Sequence, residues 1–303
     1  MEPELVMLVG CPASGKSTLA KDYEKNGYHV HSSDRLRAEL YGDETNQSNP
    51  SLIFDLLHKR IVSDLEAGVS CVFDATNMNR KKRMSFLSRL NNMDVHKKCL
   101  LFVVSVDELS RRDASRSRTV GSSVIEKMLR SFECPYYYEG FDEIVPVFED
   151  SNYEFSFENA MNFPQDNPHH NHTLGEHLLA VENYCIRHGF SKEVVTAGKY
   201  HDCGKLYTKT FTDSKGFPTD TAHFYNHENY STYLFLLDAF HDGEWKYGTF
   251  EKTLYIANLI NWHMKPLNSW KTSEKAKARD IALIGDDMAN DVLHLHEADV
   301  FAH

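Results

Sequence analysis

Gly10-Cys11-Pro12-Ala13-Ser14-Gly15-Lys16-Ser17 follows the apolar run Leu5–Val9 and opens an amphipathic segment. This is the strand–turn–helix setting that a G-x-x-x-x-G-K-S phosphate loop requires. The two glycines let backbone amides turn inward on phosphate oxygens, and the helix N-terminus adds positive potential. Residues Gly10, Cys11, Pro12, Ala13, Ser14, Gly15, Lys16, Ser17 and Thr18 are therefore the expected binding loop for ATP or another nucleoside triphosphate. Lys16 is placed to reach the β- and γ-phosphates, and Ser17 to coordinate Mg²⁺. A glycine-rich turn without a ligand is the alternative, and the strand before it and the helix after it argue against that.

Outward from the loop, the first half alternates short β-branched runs with amphipathic segments, the βαβ rhythm of a parallel sheet. Strands are expected at Leu5–Val9, Tyr28–Ser32, Val69–Asp74 and Cys99–Val106. Helices are expected after Ser17, after Asp34, over Leu52–Ala67 and Asn79–Leu90, and from Ser122 to Phe132. The second half reads as all-helical: Leu174, Leu178, Val181 and Cys185 form one apolar stripe, and Leu254, Ala257 and Ile260 another. Connecting sequence is expected around Asp150-Ser151-Asn152 and Phe163 to Pro168, which gives domains at 1–152 and 153–303.

The 303 residues suffice for two cores, and 41% hydrophobic with 25% charged residues is a globular composition. No apolar run approaches the roughly 20 residues of a membrane span, and no signal-peptide pattern precedes the loop. Six scattered cysteines without a C-x-x-C point to reduced thiols and a cytoplasmic setting, the cytoplasm of a phage host included. A net charge of −11 disfavours broad non-specific nucleic-acid binding, so any such contact must use local patches. Arg80-Lys81-Lys82-Arg83 and the arginines between 111 and 118 are the candidates. Histidine is uneven: 4 of 17 lie in the first 150 residues and 13 beyond residue 168, which points to a metal-rich second half.

Asp34 and Arg37 follow the second expected strand, where an acceptor hydroxyl would lie. A carboxylate there can take the hydroxyl proton, and an arginine can clamp an acceptor phosphate. An N-cap aspartate with an exposed helix arginine is the competing reading. Arg112 and Arg116 are spaced i,i+4, as two guanidiniums on one helical face would be, to neutralise charge on a triphosphate; a solvated basic face is again the alternative. Asp74-Ala75-Thr76-Asn77 ends a strand and is placed either to hold Mg²⁺ through water or to orient the acceptor.

Over about the first 150 residues the chain resembles the phage-type 5′-hydroxyl polynucleotide kinases, through its phosphate loop, Asp34–Arg37, Thr76-Asn77-Met78-Asn79 and Arg112–Arg116. The resemblance implies that Asp34 is the general base on a 5′-OH, that Arg37 contacts the acceptor's 3′-phosphate, and that Arg112 and Arg116 hold the donor phosphates. Glu133-Cys134-Pro135 and Glu139-Gly140-Phe141-Asp142 look like the tail shared by P-loop kinases, where the nucleotide base often rests. The family's acidic residue beside the acceptor falls where this chain has Ala75, and Asp74 stands one position earlier.

His201-Asp202, followed by Gly204-Lys205, lies at the end of an expected helix, which can present both side chains to one ion. His177, His227, His263 and Asp299 supply further donors at wide spacing. Nitrogen and oxygen donors without sulfur suit Mn²⁺, Ni²⁺, Co²⁺, Fe²⁺ or Zn²⁺ in a catalytic role, and such an ion activates water for attack on phosphorus. This half resembles the HD phosphohydrolase superfamily, especially the HD domains attached to bacterial tRNA nucleotidyltransferases. The resemblance implies His177, His201, Asp202 and Asp299 as metal ligands, with Asp287 the alternative to Asp299. It adds His227 and His263 for a second ion with Asp202 bridging, and Lys205 on the scissile phosphate. His169-His170-Asn171-His172 is either an entrance to the site or a polar loop.

The expected fold is thus an α/β P-loop kinase domain, a parallel sheet flanked by helices, followed by an all-α HD domain. The expected function is healing of RNA or DNA ends. One half phosphorylates a 5′-OH with ATP and Mg²⁺; the other opens a 2′,3′-cyclic phosphate or removes a 3′-phosphate with one or two divalent transition-metal ions. An RNA ligase would act in trans, no membrane is involved, and a homo-oligomer is compatible with the sequence. The alternatives are a small-molecule nucleoside or nucleotide kinase fused to an HD nucleotidase, and an ATP-binding sensor with a degenerate second half.

Overall fold

The structure, a computed structural model, describes residues 2–148, 153–168 and 171–302. The connecting residues Asp150-Ser151-Asn152 and the histidines His169 and His170 lie outside the described residues. The chain divides into two compact units: Met1–Ile125 with Pro135–Glu149, and Glu126–Cys134 with Asp150–His303.

In the first unit the strands are β1 (Glu4–Val9), β2 (His29–Ser32), β3 (Cys71–Asp74), β4 (His96–Val103) and β5 (Glu143–Phe148). All pair in parallel, in the spatial order β2-β3-β1-β4-β5. Leu5 to Val9 are fully buried, as expected of a central strand covered on both faces. The helices are α1 (Lys16–Lys25), α2 (Ser33–Tyr41), α3 (Pro50–Glu66), α4 (Arg80–Leu87) and α5 (Val106–Ala114). Helix α6 (Ser122–Leu129) carries the chain out of this unit. One face of the sheet packs Val6, Leu8, Val72, Leu100 and Phe102 around Ala20 of α1. Because β1, β2 and β3 run the same way, their carboxyl ends bring the phosphate loop, Asp34 and Asp74 to one edge, where ligands bind in open parallel sheets.

Strands β1, β2 and β3 depart from the expected bounds by two residues at most, β4 departs by three at each end with Val106 already in a helix, and β5 is new. Strand β4 starts at His96, three residues early, because Lys98 finds carboxylates on both neighbouring strands: Glu4 at 2.8 Å and Glu143 at 3.1 Å. Strand β5 has no counterpart among the expected strands. It contains Pro146, which costs it a ladder donor, and it survives as an edge strand, where that donor is dispensable.

The second unit is helical: α7 (Phe157–Met161), α8 (Leu174–Arg187), α9 (Lys192–Tyr200), α10 (Lys205–Thr208), α11 (His227–Ala239), α12 (Phe250–Trp262), α13 (Glu274–Ile284) and α14 (Asp286–Phe301). Helices α11 and α12 are buried on nearly every side, the pattern of central helices. All-helical is a simplification: β6 (Lys209–Thr212) and β7 (Pro218–Phe224) form an antiparallel hairpin, and β8 (Phe240–His241) with β9 (Glu244–Trp245) a shorter one. Glu126–Cys134 belongs here because Phe132 is buried edge-on against Tyr233 and Asn229 donates to the Arg130 carbonyl at 2.9 Å. No helix among the described residues is long and apolar enough to cross a membrane.

Candidate functional sites

The phosphate loop leaves β1 and enters α1 through Ala13 (φ 63°) and Gly15 (φ 94°), both left-handed. Gly10 is the glycine that crowding requires, since a Cβ there would sit 2.8 Å from Cβ of Phe102. Lys16 is folded back over the loop, donating to the Cys11 carbonyl and lying 3.3 Å from Ser14 Oγ. Burial pulls its ammonium down to about 8, against the opposing pull of Cys11 and Asp74. Ser17 Oγ donates to Asp74 Oδ2 at 3.0 Å. Burial raises the Asp74 carboxyl above its ordinary range, with the Ser17 hydrogen bond and Lys16 opposing. A serine hydroxyl and a carboxylate beside a phosphate loop are hard oxygen donors of the kind Mg²⁺ takes, so these residues fit the ion.

Asp34 stands in the first turn of α2, with its side chain 44% exposed. One oxygen accepts from Arg37 Nη1 at 2.8 Å and the other from Arg118 Nη1 at 3.2 Å. Arg37 is buried, and its Nε has no hydrogen-bond partner among the described residues. Arg118, which also lies 3.4 Å from Glu44, was not among the expected site residues; its partners are 74 and more positions away in sequence, and no local pattern signals them.

Arg112 and Arg116 do not share a helical face. Helix α5 ends at Ala114, and Asp113 turns the chain by accepting from the amides of Val120 and Gly121 at 2.9 Å. Arg112 Nε is held by Glu108 at 2.6 Å, while Arg116 lies beyond the helix, 3.8 Å from Asp113. The basic run at 80–83 is also not a surface patch: Arg80 and Arg83 are buried, and Arg83 makes a two-pronged pair with Glu139, both bonds 2.7 Å. Glu139 is thus engaged inside the unit, and only Lys81 and Lys82 of the run are exposed.

In the second unit six expected residues converge. His201 caps the end of α9, His227 opens α11 after Asn226 in a left-handed conformation, and His263 caps the end of α12. His177 comes from α8 and Asp299 from α14. His177, His201, Asp202 and Asp299 form one group with ligand atoms within 4.8 Å of each other; Asp202, His227 and His263 form a second. Asp202 faces both: Oδ2 lies 3.3 Å from His177 Nε2 and 3.5 Å from His201 Nε2, and Oδ1 lies 2.9 Å from His227 Nε2 and 3.6 Å from His263 Nε2. Asp287 is exposed and takes no part in either group.

The tautomers explain what this geometry requires. Each Nδ1 faces a backbone carbonyl: Gly198 at 2.8 Å for His201, Phe224 at 2.8 Å for His227, Ile260 at 2.7 Å for His263, and Ala302 at 3.4 Å for His177. A carbonyl only accepts, so Nδ1 carries the proton and Nε2 offers its lone pair inward. Nε2 of His177 then faces Nε2 of His201 at 3.2 Å, and His227 faces His263 at 3.3 Å. Two lone pairs that close repel unless a cation lies between them. At His177 burial alone would lower the pKa, but Asp202 and Asp299 raise it to about 9. Asp202 and Asp299 are themselves held well below the usual carboxylate range despite burial, chiefly by Lys205 for Asp202 and His177 for Asp299. Four imidazoles and two carboxylates of this kind fit one or two transition-metal ions.

Lys205 is buried, with Nζ 2.6 Å from Asp202 Oδ2 and donating to Gln165 Oε1 at 2.9 Å. Gln165, buried in what reads as connecting sequence, is a site residue that the sequence does not signal. Gly204 lets this turn approach α11: a Cβ there would lie 2.4 Å from the His227 carbonyl oxygen. Beside the cluster opens a cleft of about 360 Å³ lined in part by Asp202, Lys205, His227 and Asp299.

Among solved structures, similarity is found to an RNA repair complex of Pnkp1, Rnl and Hen1, with 22% identity, 43% of each chain covered and a TM-score of 0.37. A gluconokinase from Sinorhizobium meliloti shares 19% identity over 48% of this chain and 83% of its own, with a TM-score of 0.36. A fungal RNA kinase shares 16% over 52% of this chain and 41% of its own, also with a TM-score of 0.36. The chain thus spans less than half the length of the RNA repair protein and the RNA kinase. No curated protein matches it. Residues 5–135 match the family model described as an AAA domain, and with the five-stranded parallel sheet they give the first unit the P-loop fold of kinases.

Proposed function

We propose that this chain heals both ends of broken RNA, as an ATP-dependent 5′-hydroxyl polynucleotide kinase joined to a metal-dependent 2′,3′-cyclic phosphodiesterase and 3′-phosphatase. The observation that carries the proposal is the pairing of two sites in one chain: a carboxylate–guanidinium pair, Asp34–Arg37, in the unit that bears the phosphate loop, and four inward-facing imidazoles around Asp202 in the other. Cleavage by ribonucleases leaves the two end types these chemistries would treat. The resemblance to phage-type polynucleotide kinases and to HD phosphohydrolases supports the same assignment.

In the kinase reaction Asp34 takes the proton of the 5′-hydroxyl as its oxygen bonds to the γ-phosphorus and the β–γ bridging bond breaks. Arg37, paired with Asp34, holds the acceptor's phosphate. Lys16 neutralises the β- and γ-phosphates, Arg112 and Arg116 hold the donor, and Ser17 with Asp74 would hold Mg²⁺, which screens the transferred charge. In the hydrolase, His177, His201, His227, His263, Asp202 and Asp299 would hold one or two ions, which supply Lewis acidity and an activated water. Lys205 fixes the orientation of Asp202 and offers its ammonium to the scissile phosphate.

The test is an end-group assay on an RNA bearing a 5′-OH and a 2′,3′-cyclic phosphate, with ATP and, in turn, Mg²⁺, Mn²⁺, Ni²⁺, Co²⁺, Fe²⁺ and Zn²⁺. The expected products carry a 5′-phosphate and lose the cyclic phosphate. Asp34→Ala should remove the first activity and Asp202→Asn the second. Absence of 5′-phosphorylation by the unsubstituted chain sinks the kinase proposal. Preferential hydrolysis of free deoxynucleoside triphosphates would favour a nucleotide-salvage enzyme, which the net charge of −11 suits.

A further inference from the structure

The cleft beside the histidine cluster has an uneven lining. Its floor is polar and charged, with Asp202, Lys205, His227 and Asp299. One wall is aromatic: His223, the penultimate residue of β7, and Tyr225, just past it, lie parallel with centroids 5.3 Å apart and an interplanar angle of 8°. Tyr225 keeps 38% of its surface exposed, and His223 Nε2 is buried with no hydrogen-bond partner among the described residues. Met264, just past α12, and Leu267, in the π turn Pro266–Trp270, add a flexible thioether and a half-exposed aliphatic side chain to the lining.

From this lining we infer that the cleft is a slot for a single nucleobase, with Tyr225 its stacking platform and Met264 and Leu267 its aliphatic lining. The inference rests on the hydrolase reading of the cluster and names what is attached to the phosphate. A phosphate on the floor beside Lys205 leaves its substituent to the aromatic and aliphatic lining. A flat aromatic group gains from both, whereas a sugar or a lipid tail gains little from an aromatic face. The volume, about 360 Å³, is at the small end of ligand sites and admits one nucleotide but no helical stem. The terminal residue must therefore enter unstacked, as single-stranded RNA ends can.

The test compares RNA oligonucleotides ending in a 2′,3′-cyclic phosphate whose last residue is adenosine or abasic. The expected ratio of kcat/KM, adenosine over abasic, is about tenfold or more for the unsubstituted chain, from base–aromatic stacking. It is kept by Tyr225→Phe and falls toward one in Tyr225→Ala, with metal content and circular dichroism measured on each variant. A ratio near one in the unsubstituted chain, or one that survives Tyr225→Ala, overturns the slot while leaving the hydrolase reading standing. A chain that hydrolyses neither RNA with any divalent ion sinks that reading instead. Equilibrium binding then decides the slot: in a Lys16→Ala background, which weakens the competing nucleotide site, adenosine 3′-monophosphate should bind about tenfold tighter than ribose 3-phosphate. Tyr225→Ala should erase the difference, and equal binding of the two before that substitution counts against the slot.

Discussion

At Gly204 the reason for the residue is steric contact, since its φ of −64° is open to any side chain. An added Cβ would meet the His227 carbonyl oxygen at 2.4 Å, the Ser231 amide at 2.6 Å and the Ser231 hydroxyl at 2.9 Å. Two of these are backbone atoms that cannot swing away, so α11 must shift and take His227 with it. Gly204→Ala should destabilise the second unit by about 1–3 kcal/mol and weaken metal retention, read by calorimetry and metal analysis; retention equal to the unsubstituted chain would show that the contact is slack. His58 is a residue of the opposite kind, a titratable ring used for packing. It stacks on Phe86 at 4.4 Å and meets Phe73 edge-on at 5.6 Å, and burial lowers its pKa from 6.5 to about 4. The unfolded chain therefore binds a proton that the folded chain refuses between those two values, and stability contributed by the neutral ring above pH 6.5 is lost as pH falls toward 4. Denaturation midpoints of the first unit should decline over that window, and His58→Phe should flatten the decline.

At the level of elements, what was legible depended on whether the signal was local. Strand β1, its loop and α1 are contiguous, and the glycine spacing with Lys16 fixes them. The four inward-facing histidines are scattered, yet each lies at or near a helix end, and the asymmetry of histidine between the halves is visible without a structure. The shared helical face expected for Arg112 and Arg116 is absent because i,i+4 spacing says nothing of where a helix stops, and here Asp113 binds the amides of Val120 and Gly121 and ends it. The basic run on α4 was misread for a related reason: its partner Glu139 lies 56 residues beyond Arg83, and burial of both cannot be read from either segment. This pair also carries a consequence for α4. Arg83→Met leaves the Glu139 carboxylate buried without its main partner, at a cost of about 3–5 kcal/mol. Arg83→Met with Glu139→Gln should recover much of that loss, and Lys81→Ala with Lys82→Ala should cost almost nothing. Chemical denaturation of the three variants checks the order; equal losses in all of them would contradict the assignment of Arg83 to the interior.

On the scale of the whole molecule, the two units do not partition along a single cut in the sequence. The match to the AAA family model runs to residue 135, yet Glu126–Cys134 packs within the second unit. Phe132 is fully buried against Tyr233, Arg130 donates to the Tyr207 carbonyl at 2.8 Å, and the Phe132 carbonyl accepts from Asn261 at 3.5 Å. Helical periodicity from Ser122 onward identifies the segment as a helix but cannot say which core receives it. A division at 152/153, read from the connecting sequence, therefore strips a fragment spanning 153–303 of a core side chain, of two backbone acceptors and of the Arg130 guanidinium donor. Phe132→Ala in the full chain separates this effect from truncation. A buried phenylalanine replaced by alanine costs about 3–5 kcal/mol, and the loss should fall on the unit that holds Tyr233 and the histidine cluster. The expected outcome is a lowered thermal transition and faster loss of bound Mn²⁺ on warming, with ATP binding at the Lys16 loop retained at 25 °C. Calorimetry with and without Mn²⁺, alongside ATP titration, reads both halves in one sample. If Phe132→Ala instead abolishes ATP binding and spares the metal site, the segment stabilises the P-loop unit and the 152/153 division stands.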